Sequence, residues 1–566
     1  MRNITFYSAC FLLLFTQFSF SSPFYNRNHQ LHPEIAKNGM VVSEEALATA
    51  VAVDVLKKGG NAIDAAAALA YSLAVTLPKA GNLGGGGFML VYIKAENKVY
   101  ALDYREKAPL KAHRDLFLNP QGQVSNEKSR HSILSTAVPG TVAGIEAVHQ
   151  RFGSLPRKDI LKPAIRLAKQ GIPVSYELAQ SLKEAYPRFS KHQASTAIFY
   201  PKNKAFYEAG DLLVQRDLSH TLEQLLKKGP ASFYEGDFAK KLLAYSQEQS
   251  GIITQADLSK YKPVWRQAVT GSYRDYDIVS MPPPSSGGIA LIQAFNILEQ
   301  LAPATYGSAD SIHSAAEALH HVYKDRALHL GDSDFVSVPI HALTDKRYAQ
   351  KLAETISTSS RQQASKEPVT PDTESTETTH FVIVDKFGNA VSNTYTLNFS
   401  YGNAQVVPGT GVLLNNEMDD FSAKPGVPNA YGLIGNEKNA IAPEKRMLSS
   451  MTPTIVFKEG DLFLVSGSPG GSRIITTVLQ VIRNVIDYDM TLLQATASPR
   501  FHFQWKPDIL FLENGFSADT VSILENRGFS IKKVPTMGAA ESILVKEGYL
   551  FGAADPRKPG SLASGY

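Results

Sequence analysis

Residues 357–379 read STSSRQQASKEPVTPDTESTETT. They are polar, crowded with Ser and Thr and nearly devoid of apolar side chains, so they cannot bury the surface that ordering a chain requires. The character then reverses abruptly. Residues 380–385 form an apolar strand pattern, 386–389 (Lys-Phe-Gly-Asn) a turn, and 390–397 a second strand. This is a β-hairpin. A chain built this way carries sheet-forming segments on both sides of an exposed, cuttable tether.

The remaining pattern fits that frame. Helices are expected over 44–58, capped by Ser43 and stopped by Gly59-Gly60, and over 64–75, which is alanine-rich. A glycine loop at 81–87 leads into strands at 88–93 and 99–104. Residues 139–248 are mostly helical, including 218–228 and 238–247. Residues 268–281 read as strand, turn, strand. The loop 282–288 opens a helix over 289–301, and another helix covers 310–330. Strands at 454–458 and 462–466 pair across a turn, and Ser472 begins a helix at 473–486. Hairpins, rather than regular strand–helix alternation, argue for antiparallel sheets covered by helices.

Bulk properties exclude several classes. The 566 residues are 43% hydrophobic and 19% charged, with a net charge of +4. That is a globular composition with length for a large core or two domains. The basic excess is dilute and no Lys/Arg-rich block occurs, which argues against nucleic acid as a partner. Arg2, the apolar run at 11–20 and the small residues Ser19, Ser21 and Ser22 read as a signal peptide over 1–22. The run is about half of the roughly 20 residues a membrane span needs, so no stable membrane anchor is expected. Cys10, the sole cysteine, lies inside this leader behind a poor lipobox, Tyr7-Ser8-Ala9. The mature chain then has no disulfide, no thiolate–metal site and no cysteine nucleophile. A periplasmic or secreted location follows.

Familiar chemical motifs are missing. The 81–87 glycines carry no Gly-Lys-Ser/Thr, no G-x-S-x-G elbow occurs, and no H-E-x-x-H is present. His313, Glu317, His320 and His321 share helical spacing, but a polar, solvated helix face explains them better than a metal site. The 282–288 loop fits equally a substrate-lining loop and a sharp turn before a helix. The junction Glu377-Thr378-Thr379-His380 is more specific. Threonine is a poor nucleophile without an adjacent base, and an N-terminal threonine supplies one in its own α-amine. Cleavage between Glu377 and Thr378 would create that amine. Spacing alone favours the plainer reading, a linker meeting a domain.

The sequence resembles the γ-glutamyltranspeptidase family of N-terminal-nucleophile hydrolases over nearly the whole mature chain. The matching segments are Gly59-Gly60-Asn61-Ala62-Ile63-Asp64-Ala65-Ala66, residues 81–88, Asp103-Tyr104-Arg105-Glu106 and residues 282–288. They continue with Thr378-Thr379-His380, Leu414-Asn415-Asn416-Glu417-Met418-Asp419-Asp420-Phe421, Ser449-Ser450-Met451 and residues 467–471. The resemblance implies an α+β fold, a four-layer αββα sandwich formed jointly by a large chain (23–377, with 357–377 a flexible tail) and a small catalytic chain (378–566). It implies self-cleavage at Glu377/Thr378 and selects Thr378 as nucleophile over Thr376 and Thr379.

The same resemblance assigns the site. Thr396 supports the nucleophile, and Gly470 and Gly471 form the oxyanion hole. Arg105, Ser449 and Ser450 bind the donor α-carboxylate. Asp420, Glu417 and Asn398 accept from its ammonium, and Tyr431 belongs to a lid over 424–446. Glutathione and glutamine-like amides are the implied donors, with water or amino-acid amines as acceptors, and neither metal nor organic cofactor is required. Two alternatives remain at this level: a glutaryl-type β-lactam acylase of the same fold, and a non-catalytic periplasmic binding protein with a protease-sensitive linker.

Overall fold

The computed structural model describes residues 32–357, 359–361 and 378–566. The leader, Thr376 and Glu377 therefore lie outside the described residues. Two seven-stranded sheets dominate. The first runs, edge to edge, through Leu562–Gly565, Met40–Ser43, Thr378–Val384, Ala390–Thr396, Gly86–Ile93, Lys98–Asp103 and Val264–Arg266, antiparallel throughout. The second runs through Glu34–Ala36, Tyr549–Ala553, Glu541–Lys546, Asp461–Gly467, Thr454–Lys458, Tyr276–Ser280 and Val269–Tyr273, also antiparallel. Both sheets contain strands from before and after the tether.

Strand alternation explains the layering. In Thr378–Val384, Phe381 and Ile383 face the core shared with the helices Ala46–Lys57 and Ala62–Thr76. Val382 and Val384 face the core between the sheets, which also holds Ile455, Val465 and Ile543. The helices Gly287–Leu298 and Ile474–Ile486 cover the outer face of the second sheet. The order is helix, sheet, sheet, helix, as expected. Residues Pro33–Tyr566 form one unit. Among the described residues, no helix is long and apolar enough to cross a membrane.

Two local expectations need correction. Ser43 ends a strand and bonds to Thr49 Oγ1 at 2.7 Å; the helix Ala46–Lys57 is instead capped by Glu45, whose carboxylate accepts from Leu47 N and Ala48 N. The His313–Glu317 face is not solvated. His313 and Glu317 are buried, His313 Nε2 lies 2.6 Å from Ser357 O, and Glu317 accepts from Arg361 Nε at 2.9 Å. This face fastens Ser357 and Arg361 to the body. Among the described residues no cluster of metal-ligating side chains occurs.

Candidate active site

The corner around Thr378 is set by hairpin register. Asp385 ties the 386–389 turn by accepting from Phe387 N, Asn389 N and Asn389 Nδ2. That turn fixes a ladder in which Thr378 pairs directly with Thr396. Directly opposed residues share a face at close range, so Thr378 Oγ1 lies 3.4 Å from Thr396 Oγ1. Thr396 Oγ1 also accepts from Asn398 N at 2.8 Å. Thr378 is buried and lines a pocket that Thr396 also lines.

Arg105 lines the same pocket. Its backbone is fixed from three sides: its amide donates to Asp103 Oδ1 at 2.9 Å, and its carbonyl accepts from Tyr261 OH and Arg446 Nε. Asp103 is held by Arg266 at 2.7 Å. The guanidinium forks onto two carboxylates, bonding Glu417 Oε1 through Nη1 and Asp420 Oδ2 at 2.5 Å through Nη2. Glu417 and Asp420 converge because they are i and i+3 of a 3₁₀ turn, Glu417–Asp420, whose pitch stacks such positions. Asn415 holds the start of that turn, accepting from Glu417 N and Ala137 N and donating to Gly84 O.

Glu106 is a third acid at this pole, 3.7 Å from Arg105 Nη1. Both of its carboxyl oxygens, and Oε2 of Glu417, are buried without a hydrogen-bond partner. Burial therefore pushes the Glu417 carboxyl up to about 8, against the pull of Arg105. Glu106 is pushed well above the usual carboxylate range by burial and by Glu417, and Asp420 is raised by burial. One arginine thus serves three acids. Of the three acids, Glu417 and Asp420 line the pocket and Glu106 does not, so the unmet acceptor that a cationic group in the pocket would satisfy is that of Glu417.

Ser449 and Ser450 reach the pocket on a loop clamped by residues 282–288. Ser286 donates to Ser449 O through N at 2.8 Å and Oγ at 2.7 Å, and Ser285 Oγ donates to Met451 O at 2.6 Å. The 282–288 loop therefore supports the site from behind the two serines. Tyr431 lines the pocket from the segment 424–446. Its hydroxyl donates to Asn398 Oδ1 at 2.6 Å, and Gln504 Nε2 donates to its carbonyl at 3.0 Å. Asn398 itself has φ +76, a left-handed backbone rare for a non-glycine residue, and its Nδ2 donates to Asn416 O.

Gly471 lines the pocket, whereas Gly470 stands one residue behind it. Gly470 has φ +128 and Gly471 φ +54, and a Cβ on Gly471 would meet Tyr431 Cδ1 at 2.6 Å. Only glycine fits both demands. They lead into a 3₁₀ turn, Gly471–Arg473, and then the helix Ile474–Ile486, so that helix begins one residue later than expected. A helix start of this kind presents amide N–H groups suited to a developing oxyanion.

The structure thus brings Thr378, Thr396, Arg105, Asn398, Glu417, Asp420, Tyr431, Ser449, Ser450 and Gly471 to one pocket. It adds Arg326, which sequence reasoning passed over. Arg326 lies on the helix Ala309–His329, in phase with the buried Leu319, Val322 and Tyr323. An arginine at an apolar-stripe position was the available signal. It also borders an adjoining recess lined by Arg130, Asp419 and the lid.

Comparison with known proteins gives a consistent result. The family profile described as Gamma-glutamyltranspeptidase matches residues 48–565. A glutathione hydrolase proenzyme of Escherichia coli (strain K12) is 49% identical over 546 residues, covering 94% of this chain and 93% of the relative. An Acylase ACY 1 proenzyme of Pseudomonas sp. (strain V22) is 34% identical, with 94% of each chain covered. Among solved structures, a cephalosporin acylase from Bacillus halodurans superposes with TM-score 0.84 at 27% identity, covering 97% of this chain and 98% of the other. Helicobacter pylori γ-glutamyltranspeptidase gives TM-score 0.55 at 44% identity, covering 58% of this chain and 93% of the other.

Proposed function

This chain belongs to the γ-glutamyltranspeptidase family, and from that premise we propose that it is a self-processing γ-glutamyltransferase and glutathione hydrolase whose donor pocket lies between Thr378 and Arg105. The Thr378 hydroxyl attacks the Glu377 carbonyl, the acyl group moves from nitrogen to oxygen, and water hydrolyses the resulting ester. This frees the Thr378 α-amine and leaves a large chain, 23–377, and a small chain, 378–566. The interleaving of both segments in each sheet supports their remaining associated as a heterodimer. The α-amine then acts as base for the same hydroxyl. Attack on a γ-amide carbon forms a γ-glutamyl ester and releases the amine, cysteinylglycine in the case of glutathione. Water yields glutamate; an amino-acid amine yields the transfer product. A cleaved leader over 1–22, as the sequence pattern suggests, would put this activity outside the cytoplasm.

One observation carries the substrate assignment: two acids that line the pocket, the buried Glu417 and the partly buried Asp420, share one arginine, and Oε2 of Glu417 has an unmet acceptor. A donor with an α-ammonium would satisfy it. Arg105, Ser449 and Ser450 take the α-carboxylate, Asp420, Glu417 and Asn398 the ammonium, and Gly470 and Gly471 the oxyanion. Tyr431 closes the pocket. A glutaryl donor has no ammonium and would leave the acids unsatisfied, which separates this reading from the acylase relatives. The test compares γ-glutamyl-p-nitroanilide with glutaryl-p-nitroanilide on purified protein, alongside N-terminal sequencing of the smaller fragment. A preference for the glutaryl compound would overturn the substrate assignment. An intact chain, or a fragment starting elsewhere than Thr378, would overturn the mechanism and favour a binding protein.

A further inference from the structure

Tyr431 is held at two ends. Its hydroxyl donates to Asn398 on the nucleophile side, and its backbone carbonyl accepts from Gln504 Nε2 at 3.0 Å. Gln504 is buried, just beyond the short strand Phe501–His502. Its amide can point only one way. Nε2 also lies 3.2 Å from Lys506 O, so two carbonyls face that end and take both amide hydrogens. Oε1 therefore faces His502 Nε2, 2.7 Å away. An acceptor at that distance requires a hydrogen on Nε2. Burial, with the nearby Arg473 charge, draws the His502 pKa down to about 3, so the ring is neutral and Nδ1 is an acceptor. Thr476 Oγ1, on the helix Ile474–Ile486, lies 3.0 Å from that Nδ1. Donation thus runs one way, from Thr476 to His502, from His502 to Gln504 and from Gln504 to Tyr431 O. Bonds in such a chain polarise one another. Thr476 Oγ1 is also 3.0 Å from Arg473 O, the last residue of the turn Gly471–Arg473. Trp505, next to Gln504, has φ +67, a left-handed backbone that a bulky side chain rarely adopts. Strain of this kind concentrates at functional sites.

Gln504, His502 and Thr476 do not line the pocket that holds Thr378. They are buried polar groups whose desolvation is offset only while every bond of the chain is made. Resting on the γ-glutamyl donor reading above, we propose that Gln504 is a positioning residue that holds Tyr431 at the pocket by its backbone, and that His502 acts by fixing which end of the Gln504 amide faces Tyr431. Without His502, Gln504 Oε1 loses its donor, and an amide turned over would set its oxygen against two carbonyls. Thr476 ties the same chain to the helix behind Gly470 and Gly471. The lid residue and the oxyanion turn are thereby aligned through side chains that lie outside the pocket.

The test is a double-mutant cycle on the processed protein with γ-glutamyl-p-nitroanilide as donor. Gln504→Leu keeps the bulk and removes the amide. It should raise KM by about 5- to 20-fold, the lower part of the range for a carbonyl left without its donor, because the released segment can reach water. It should lower kcat by less than about threefold, since the side chain is remote from the reacting atoms. His502→Phe keeps a ring in contact with Tyr323 and Phe511, whose centroids lie 5.9 and 6.1 Å away, and removes both nitrogens. Alone it should raise KM by about 2- to 12-fold, the range for one neutral hydrogen bond. Added to Gln504→Leu it should change KM by less than about twofold, because its partner is already gone. KM losses that multiply would show that His502 acts independently of Gln504, and losses carried equally by kcat and KM would show a general effect on packing; either result overturns the proposal. Should these variants fail to fold, Gln504→Asn, whose amide falls one bond short of Tyr431 O, must show the same confinement to KM. A wild-type protein inactive on this donor would overturn the functional reading itself. Wild-type activity with an unchanged KM in Gln504→Leu overturns this inference alone.

Discussion

Thr378 and Thr396 are 18 residues apart and meet because a single hairpin register sets them face to face. Arg105 meets Glu417 and Asp420 across 312 and 315 residues, through a 3₁₀ turn, an asparagine hub and a backbone pinned by Asp103 and Tyr261. The reacting corner is neutral and local. The recognition pole is charged, buried and assembled from both sides of the tether. The hydroxyl geometry is thus encoded by one turn and needs little else. The specificity is encoded by contacts that exist only once both sheets have formed. Damage at the corner should therefore stop chemistry and processing together, whereas damage at the pole should spare processing and weaken only donor recognition.

The sharpest way to break this contrast is Thr378→Ala. It should leave one uncleaved chain and lower γ-glutamyl release by roughly 10⁴-fold or more, as loss of a catalytic nucleophile does elsewhere. Gel analysis of purified protein and a donor assay check both halves. Thr378→Ser, which keeps a hydroxyl, should retain part of each. An alanine variant that still splits at this junction would remove self-attack from the mechanism.

Arg105→Lys tests the opposite pole. A lysine cannot fork onto Glu417 and Asp420 at once. The expected loss is about 100-fold in kcat/KM, the upper end for one charge-assisted bond. It should appear mainly in KM, and cleavage should be unaffected. If processing fails as well, the recognition pole also organises the corner, and the division drawn above is too strict.

A smaller effect follows from the Glu417 carboxyl, held up to about 8 by burial. A donor ammonium beside it favours the ionised form, so binding expels a proton whenever the free enzyme is below that pH. Donor affinity should rise as pH climbs toward 8, by at most about tenfold per unit, because one proton is linked to binding. KM measured from pH 6 to 8 checks the slope. Glu417→Gln has no proton to lose and should flatten it; a slope unchanged in that variant would assign the titration to another group.

These regions were also unequally legible in the sequence. The hairpins at 380–397 and 454–466 and the long helix near 310–330 could be read because alternation, turn residues and helical periodicity are local signals. The recognition pole offers no such signal. Arg105, Glu417, Asp420 and the two serines were named only through motif resemblance, since nothing in their spacing says that they converge. Ser43 misled because its strand pairing and its bond to Thr49 outcompeted a capping role that Glu45 filled. The His313 face misled because the residues that bury it, Ser357 and Arg361, follow more than one turn of chain beyond the helix. Arg326 was overlooked because a lone charge in an apolar stripe reads as a surface residue until the opposing wall is known.

Tyr431 joins the two regions, and its smallest perturbation measures how far they are independent. Its hydroxyl donates to Asn398 Oδ1 and lies 3.0 Å from Asn398 O, while its ring packs over Gly471. Asn398 N in turn donates to Thr396 Oγ1, so the lid is wired to the nucleophile's neighbour through one strained residue. Tyr431→Phe keeps the ring over Gly471 and deletes only the hydroxyl bonds. One neutral hydrogen bond is worth about 0.5–1.5 kcal/mol, so kcat/KM should fall by roughly 2- to 12-fold. If corner and pole are separate, the loss appears in KM alone, as the lid closes less firmly over the donor. A loss carried by kcat would mean that the hydroxyl holds Asn398, and through it Thr396, in the reacting geometry, and the neutral corner would then depend on the lid as well as on its own hairpin.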